Sequence, residues 1–145
     1  MGKEKGMAIK EAWDLVAEAK RQIENLSIEQ LKTEQQGGKE VLLIDLRELQ
    51  ERLELGTIPE SKHVPRGMLE FWADPASKYY RDYFQPERRT VVFCAGGGRS
   101  ALAAKALQEM GFTNVAHLEP GFNGWKAAGE PVEDVASTSK WVRRA

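Results

Sequence analysis

The stretch from Thr90 to Met110 constrains this chain more than any other. Thr90-Val91-Val92-Phe93 is an apolar run without polar alternation, the pattern of a strand buried on both faces. It leads into Cys94-Ala95-Gly96-Gly97-Gly98, and Arg99 to Met110 follows as an Ala- and Leu-rich helix closed by Gly111. A strand, a tight glycine loop and a helix make the repeating unit of an α/β sheet. The loop then falls at the sheet's carboxyl edge, where open α/β folds hold ligands.

The flanking sequence supplies more such units. Val41-Leu42-Leu43-Ile44 reads as a second buried strand, Asn114 to Leu118 as a third, and His63-Val64 as a short β-like step between Pro59 and Gly67. Trp13, Leu15, Val16, Ala19 and Ile23 recur at helical spacing, predicting a helix from Glu11 to Asn25. Ser27 with Gln30 forms a capping-box signature for a helix that Gly37-Gly38 ends. Glu48 to Leu55 predicts a short helix stopped by Gly56, and Phe122 to Ala128 another. Met68 to Phe84 is rich in aromatic residues and predicts one or two short helices. The expected fold class is α/β, a mostly parallel sheet of about five strands with helices on both faces.

Composition narrows the function. A net charge of −1 over 145 residues provides no field for nucleic acid or anionic lipid. No window approaches a membrane span, and the N-terminus lacks a signal-peptide pattern. Gly2 is followed at position 6 by Gly where acylation needs Ser or Thr. The basic segment from Lys140 to Arg144 around Trp141 reads as a solvated tail. One cysteine and two histidines cannot form a disulfide or a zinc site. The expectation is a cytoplasmic protein with no cofactor, no metal, no nucleic-acid or membrane partner, and a free thiol.

That thiol, Cys94, has the neighbours of a nucleophile. Glycines permit a sharp turn whose amides face inward as an anion nest, and the helix beginning near Arg99 or Ser100 adds its positive end. Both features favour thiolate over thiol. Arg99 can fork onto the oxygens of an anionic substrate. The alternative is that a tight strand-to-helix turn needs glycines whatever its function.

From about Leu26 to Val132 the sequence resembles the rhodanese-like family. Cys94-Ala95-Gly96-Gly97-Gly98-Arg99 is similar to its active-site loop, with Ser100 opening the helix. Asp45-Leu46-Arg47-Glu48 followed by Gly56-Thr57-Ile58-Pro59-Glu60-Ser61 resembles the family's D-x-R-E and G-H-I-P-G-A pattern. Gly111-Phe112-Thr113-Asn114-Val115, Gly121-Phe122, Trp125 and Gly129-Glu130-Pro131-Val132 resemble its closing segment. Thr57, Glu60, Ser61 and Pro120 depart from it.

The resemblance implies a three-layer domain over 26–132, with 1–25 as a helical extension and 133–145 as a tail. It implies sulfur transfer from a small anionic donor such as thiosulfate, through a Cys94 persulfide, to cyanide, a thiol or a protein acceptor. Cys94 would be catalytic, and Ala95, Gly96, Gly97, Gly98, Arg99 and Ser100 would bind substrate. Asp45, Arg47, Arg66 and Trp72 are further candidates around the site. Met68, Phe71 and Trp72 are candidates for the pocket mouth. Asp45 with Arg47 also reads as a structural ion pair, Arg66 as a solvated loop residue, and His63 and His117 as satisfied structural histidines.

Three other functions compete. A cysteine-dependent phosphatase or arsenate reductase shares the chemistry, but those phosphatases place one more residue between cysteine and arginine than stands between Cys94 and Arg99. Gly96-Gly97-Gly98-Arg99-Ser100-Ala101 fits a dinucleotide fingerprint with Glu119 as the ribose ligand. That reading leaves Cys94 without a role and too few residues after Glu119 for the remaining units. A non-enzymatic binding module on the same fold is the third.

Overall fold

The computed structural model describes residues 8–138; Gly2 and the basic segment at Lys140–Arg144 lie outside the described residues. Five strands form one sheet in the order β1-β5-β4-β2-β3, and every pairing between them is parallel. The strands are β1 (Glu24–Leu26), β2 (Leu42–Asp45), β3 (Lys62–His63), β4 (Thr90–Phe93) and β5 (Val115–Leu118). The helices are α1 (Ala12–Lys20), α2 (Ile28–Gln36), α3 (Leu49–Leu55), α4 (Leu69–Ala73), α5 (Gly98–Met110), α6 (Gly121–Ala127) and α7 (Val135–Thr138).

Side-chain alternation along the strands builds two cores. Leu42, Ile44, Val92 and Val115 face one side, where α1, α4 and α5 contribute Val16, Ala19, Leu69, Ala104 and Leu107. Leu43, Val91, Phe93, Ala116 and Leu118 face the other and meet Leu31 of α2 with Phe122 and Trp125 of α6. Both faces are covered, which is why the strands read as unbroken apolar runs rather than alternating ones.

Ser27 caps α2 through the full reciprocal box with Gln30. The N-terminal helix is shorter than its periodicity predicts. It ends at Lys20, and the chain turns into the edge strand β1. Asn25 therefore stands in a strand, paired with His117 in register. Three residues are too few for a period-two signal, and Ile23 fits a helical stripe equally well. Only the pairing with β5 separates the two. Arg89 strengthens that edge by reaching Glu24 at 2.9 Å and Glu34 of α2 at 2.7 Å.

Between Met68 and Phe84 the one α-helix is α4, preceded by a 3-10 turn at Arg66–Met68. Tyr80 and Tyr83 lie in the turns after it, packed with Trp72 against the first core.

Candidate active site

β4 sits at the centre of the sheet, and Cys94 follows its last residue. The side chain is buried, with 1% exposure. The amide of Gly97 donates to Sγ at 3.2 Å and that of Ser100 at 3.4 Å. The carbonyls on the other side of the loop are taken by α6, whose Phe122 and Asn123 amides donate to Cys94 and Ala95 oxygens at 2.8 and 2.9 Å. With its carbonyls turned toward α6, the loop presents amides to the sulfur.

Of the three consecutive glycines only Gly97 occupies left-handed backbone, at φ 102°. A Cβ there would also lie 2.7 Å from the Glu119 carbonyl oxygen, so both conformation and space demand glycine. Gly121, at φ 66°, has the same double requirement where α6 abuts the Ala95 carbonyl. Gly96 is exposed and has open space beside it. Gly98 begins α5 and lies under the ring of Trp13, which α1 brings across the loop.

Arg99 is partly exposed and already paired. It forks onto Glu51 of α3, Nη1 to Oε2 at 2.8 Å and Nη2 to Oε1 at 3.0 Å. Those bonds hold the Glu51 carboxyl below its usual range and raise the Arg99 guanidinium. An anion using Arg99 must therefore share it with Glu51.

Asp45 and Arg47 pair with each other at the end of β2, both fully buried. The carboxylate accepts from Arg47 N and Nε at 3.0 Å, Arg47 Nη2 at 2.9 Å, Arg52 at 3.0 Å and Thr57 Oγ1 at 2.7 Å. Burial pushes this carboxyl up, but the Arg47 bonds and charge, with the Thr57 hydroxyl, outweigh it and hold it below the usual value. Arg47 Nη2 also reaches the Gly56 carbonyl at 2.6 Å, and its guanidinium lies 4.2 Å from the Phe122 ring centre. The node locks β2, α3 and α6 beneath the loop.

The remaining candidates are engaged elsewhere. Arg66 pairs with Glu70 at 2.9 Å, and Trp72 lies beneath Arg81 at 4.3 Å. Phe71 is 55% exposed, whereas Met68 and Trp72 are half-buried. His63 Nε2 donates to the Arg47 carbonyl at 2.7 Å, and burial lowers its pKa.

His117 is joined to the site in a way its sequence position did not announce. It is fully buried on the same face of β5 as Val115, and its Nδ1 meets Ser100 Oγ at 2.8 Å. Ser100 Oγ in turn lies 3.5 Å from Cys94 Sγ. One signal was available: a histidine at a position where strand alternation calls for an apolar residue against α5. No group of three or more metal-ligating side chains occurs among the described residues, and no described helix is long and apolar enough to cross a membrane.

Known proteins share this fold. Residues 27–128 match the model of the rhodanese-like domain. The chain belongs to the rhodanese-like family. It is 30% identical over 110 residues to the Bacillus subtilis protein named "Putative sulfurtransferase YtwF", covering 76% of this chain and 97% of that one. It is 32% identical over 113 residues to rhodanese-like/PpiC domain-containing protein 12 of Arabidopsis thaliana chloroplasts. That match covers 75% of this chain and spans only 36% of the plant protein's length. Among solved structures, a Rhodopseudomonas palustris protein of unknown function, described as a possible tyrosine phosphatase, superposes with a TM-score of 0.82 at 40% identity. The superposition covers 90% of this chain and all of that one, more than the family-matched segment alone.

Proposed function

We propose that this rhodanese-like protein transfers sulfane sulfur through a persulfide on Cys94. The observation that carries the reading is a sole cysteine whose buried sulfur receives two backbone N–H bonds at the start of α5. Such amides stabilise sulfur as an anion and need no reorganisation during reaction.

In the first half-reaction the Cys94 thiolate attacks the outer sulfur of an anionic donor such as thiosulfate. The donor's S–S bond breaks, and sulfite departs with the electron pair. The terminal sulfur of the Cys94 persulfide then carries the negative charge, facing the amides of the loop formed by Ala95, Gly96, Gly97, Gly98, Arg99 and Ser100. In the second half-reaction a thiophilic acceptor, cyanide or a thiol, attacks that terminal sulfur and regenerates the Cys94 thiolate. A second cysteine is absent from the sequence, so the acceptor comes from outside the chain, as a small molecule or a protein. A thiol that must stay reduced fits a cytoplasmic setting.

Intact mass spectrometry tests the reading. Incubation with thiosulfate is expected to add the mass of one sulfur, cyanide to remove it, and Cys94→Ala to take up none. Absence of the adduct in wild type with every sulfane donor tried would overturn it. The phosphatase description of the R. palustris relative supports a second reading, and hydrolysis of an aryl phosphate dependent on Cys94 would favour that one.

A further inference from the structure

The sulfur of Cys94 is enclosed, yet its ionisation requires a proton to leave. The hydrogen bonds from Cys94 outward specify a route. Lys20 O and Ile23 O accept both amide bonds of Asn25 Nδ2, at 2.9 and 3.1 Å. Asn25 Oδ1 is thereby turned toward His117 Nε2, 2.7 Å away. Glu119 Oε1 lies 3.1 Å from the same nitrogen. Two acceptors at Nε2 place the imidazole proton there. Nδ1 is then an acceptor, so the Ser100 hydroxyl donates to it, and the Ser100 lone pairs face the Cys94 S–H at 3.5 Å.

We propose that Ser100 and His117 form the proton exit of Cys94, and that the α1–β1 segment sets its direction by fixing the His117 tautomer through Asn25. The inference rests on Cys94 being the nucleophile of the sulfur-transfer reading. On ionisation the S–H bond breaks and its electron pair stays on sulfur. Ser100 Oγ takes that proton while its own hydroxyl proton passes to His117 Nδ1. The products are a thiolate and an imidazolium, the latter facing the Glu119 carboxylate. Glu119 is partly exposed, and its carboxylate balances the charge that arrives on His117. In that imidazolium Nε2–H stays on its two acceptors, Nδ1–H donates to Ser100 and Ser100 donates to the thiolate, so the chain of bonds has reversed and stabilises the ion pair.

The charged groups around the relay come from four places. Lys20 of α1 bonds Glu119 at 3.1 Å, Glu119 follows β5, Cys94 ends the path, and Arg99 at the start of α5 is turned onto Glu51. Burial lowers the His117 pKa, and Glu119 opposes that effect. The histidine is therefore neutral before the transfer, and the Glu119 carboxylate is the group that favours the imidazolium formed by it. Asn25 and Lys20 lie outside residues 27–128, so the α1–β1 segment completes the site rather than merely preceding the domain.

Ser100 touches the reacting sulfur, whereas His117, Asn25 and Glu119 act through it as positioning residues. Thiolate absorbance against pH is the readout, unambiguous because the chain has one cysteine and Cys94→Ala serves as the blank. Ser100→Ala and His117→Ala are expected to hold about tenfold less thiolate than wild type at a fixed pH on the acid limb. The double variant Asn25→Ala, Glu119→Ala alters groups at the surface edge and is expected to show a shift of about threefold in the same direction. Glu119→Ala alone, which leaves Asn25 Oδ1 as an acceptor at Nε2, is expected to stay closer to the wild-type profile than the double variant. Folded variants that all titrate like wild type would overturn the relay, even if their melting temperatures fall. The two readings fail separately. Sulfur uptake by wild type with unmoved profiles removes the relay alone, whereas moved profiles without sulfur uptake by wild type remove the transfer reading alone.

Discussion

Two buried polar clusters stand side by side at the carboxyl edge of this sheet, one after β2 and one after β4. At the first, Asp45 accepts from both neighbouring arginines and a threonine hydroxyl, which closes off the carboxylate's lone pairs, while Arg47 Nη1 makes no hydrogen bond. At the second, Cys94 receives two weak amide bonds, and a single line of hydrogen bonds runs from it through Ser100 and His117 to the partly exposed Glu119. A buried charge with every lone pair occupied holds loops in place and has little capacity to react. A buried thiol with a proton path and spare coordination is positioned for chemistry. The same environment, neighbouring strands of one sheet, supports opposite roles because the partners differ.

Breaking the closed cluster is expected to give the largest effect on stability. Asp45→Ala leaves Arg47 buried and unpaired, which costs about 3–5 kcal/mol. Denaturant unfolding checks the loss, and an unchanged midpoint would show that the node contributes little. Asp45→Asn keeps the volume and part of the hydrogen bonding, so its loss is expected to be smaller.

Between the clusters, Glu51 restrains Arg99. Glu51→Gln is expected to release the guanidinium and lower the KM for thiosulfate by about threefold, with Arg99→Ala raising it by about tenfold. Alkylation of Cys94 by a neutral reagent is expected to change little in either variant. Identical thiosulfate kinetics in both would remove Arg99 from donor binding.

Acid titration separates the clusters more gently. His63 and His117 both have pKa values lowered in the folded state by burial. The unfolded chain therefore binds more protons, and stability falls as pH drops below about 6.5, the ordinary histidine value. Asp45 is held low instead, so its contribution persists to about pH 4 and is lost below that, as pH falls toward its folded pKa. Stepwise loss is the expected result in thermal melts across this range. His117→Asn is expected to shrink the upper step to the part His63 contributes and leave the lower one. A single step below pH 4 would show that neither histidine is linked to folding.

The order of elements was legible in the sequence wherever burial imposed a periodicity. The strands β2, β4 and β5 appear as apolar runs because they are covered on both faces, and Ser27 with Gln30 announces α2 because capping is a local matter. The loop after Cys94 was legible for the same reason, since strand, glycines and helix are contiguous. Interactions across the sheet left no such trace. β1 exists as a strand only because β5 pairs with it, and Glu51 meets Arg99 across 48 residues. His117 reaches Cys94 only after β5 lies beside β4 and α5 covers both. Sequence by itself determined the α/β class and the cysteine at the carboxyl edge, through local propensity and hydrophobic patterning. Tertiary structure alone decided which groups that cysteine can exchange a proton with, because hydrogen bonds depend on distances that chain separation does not encode.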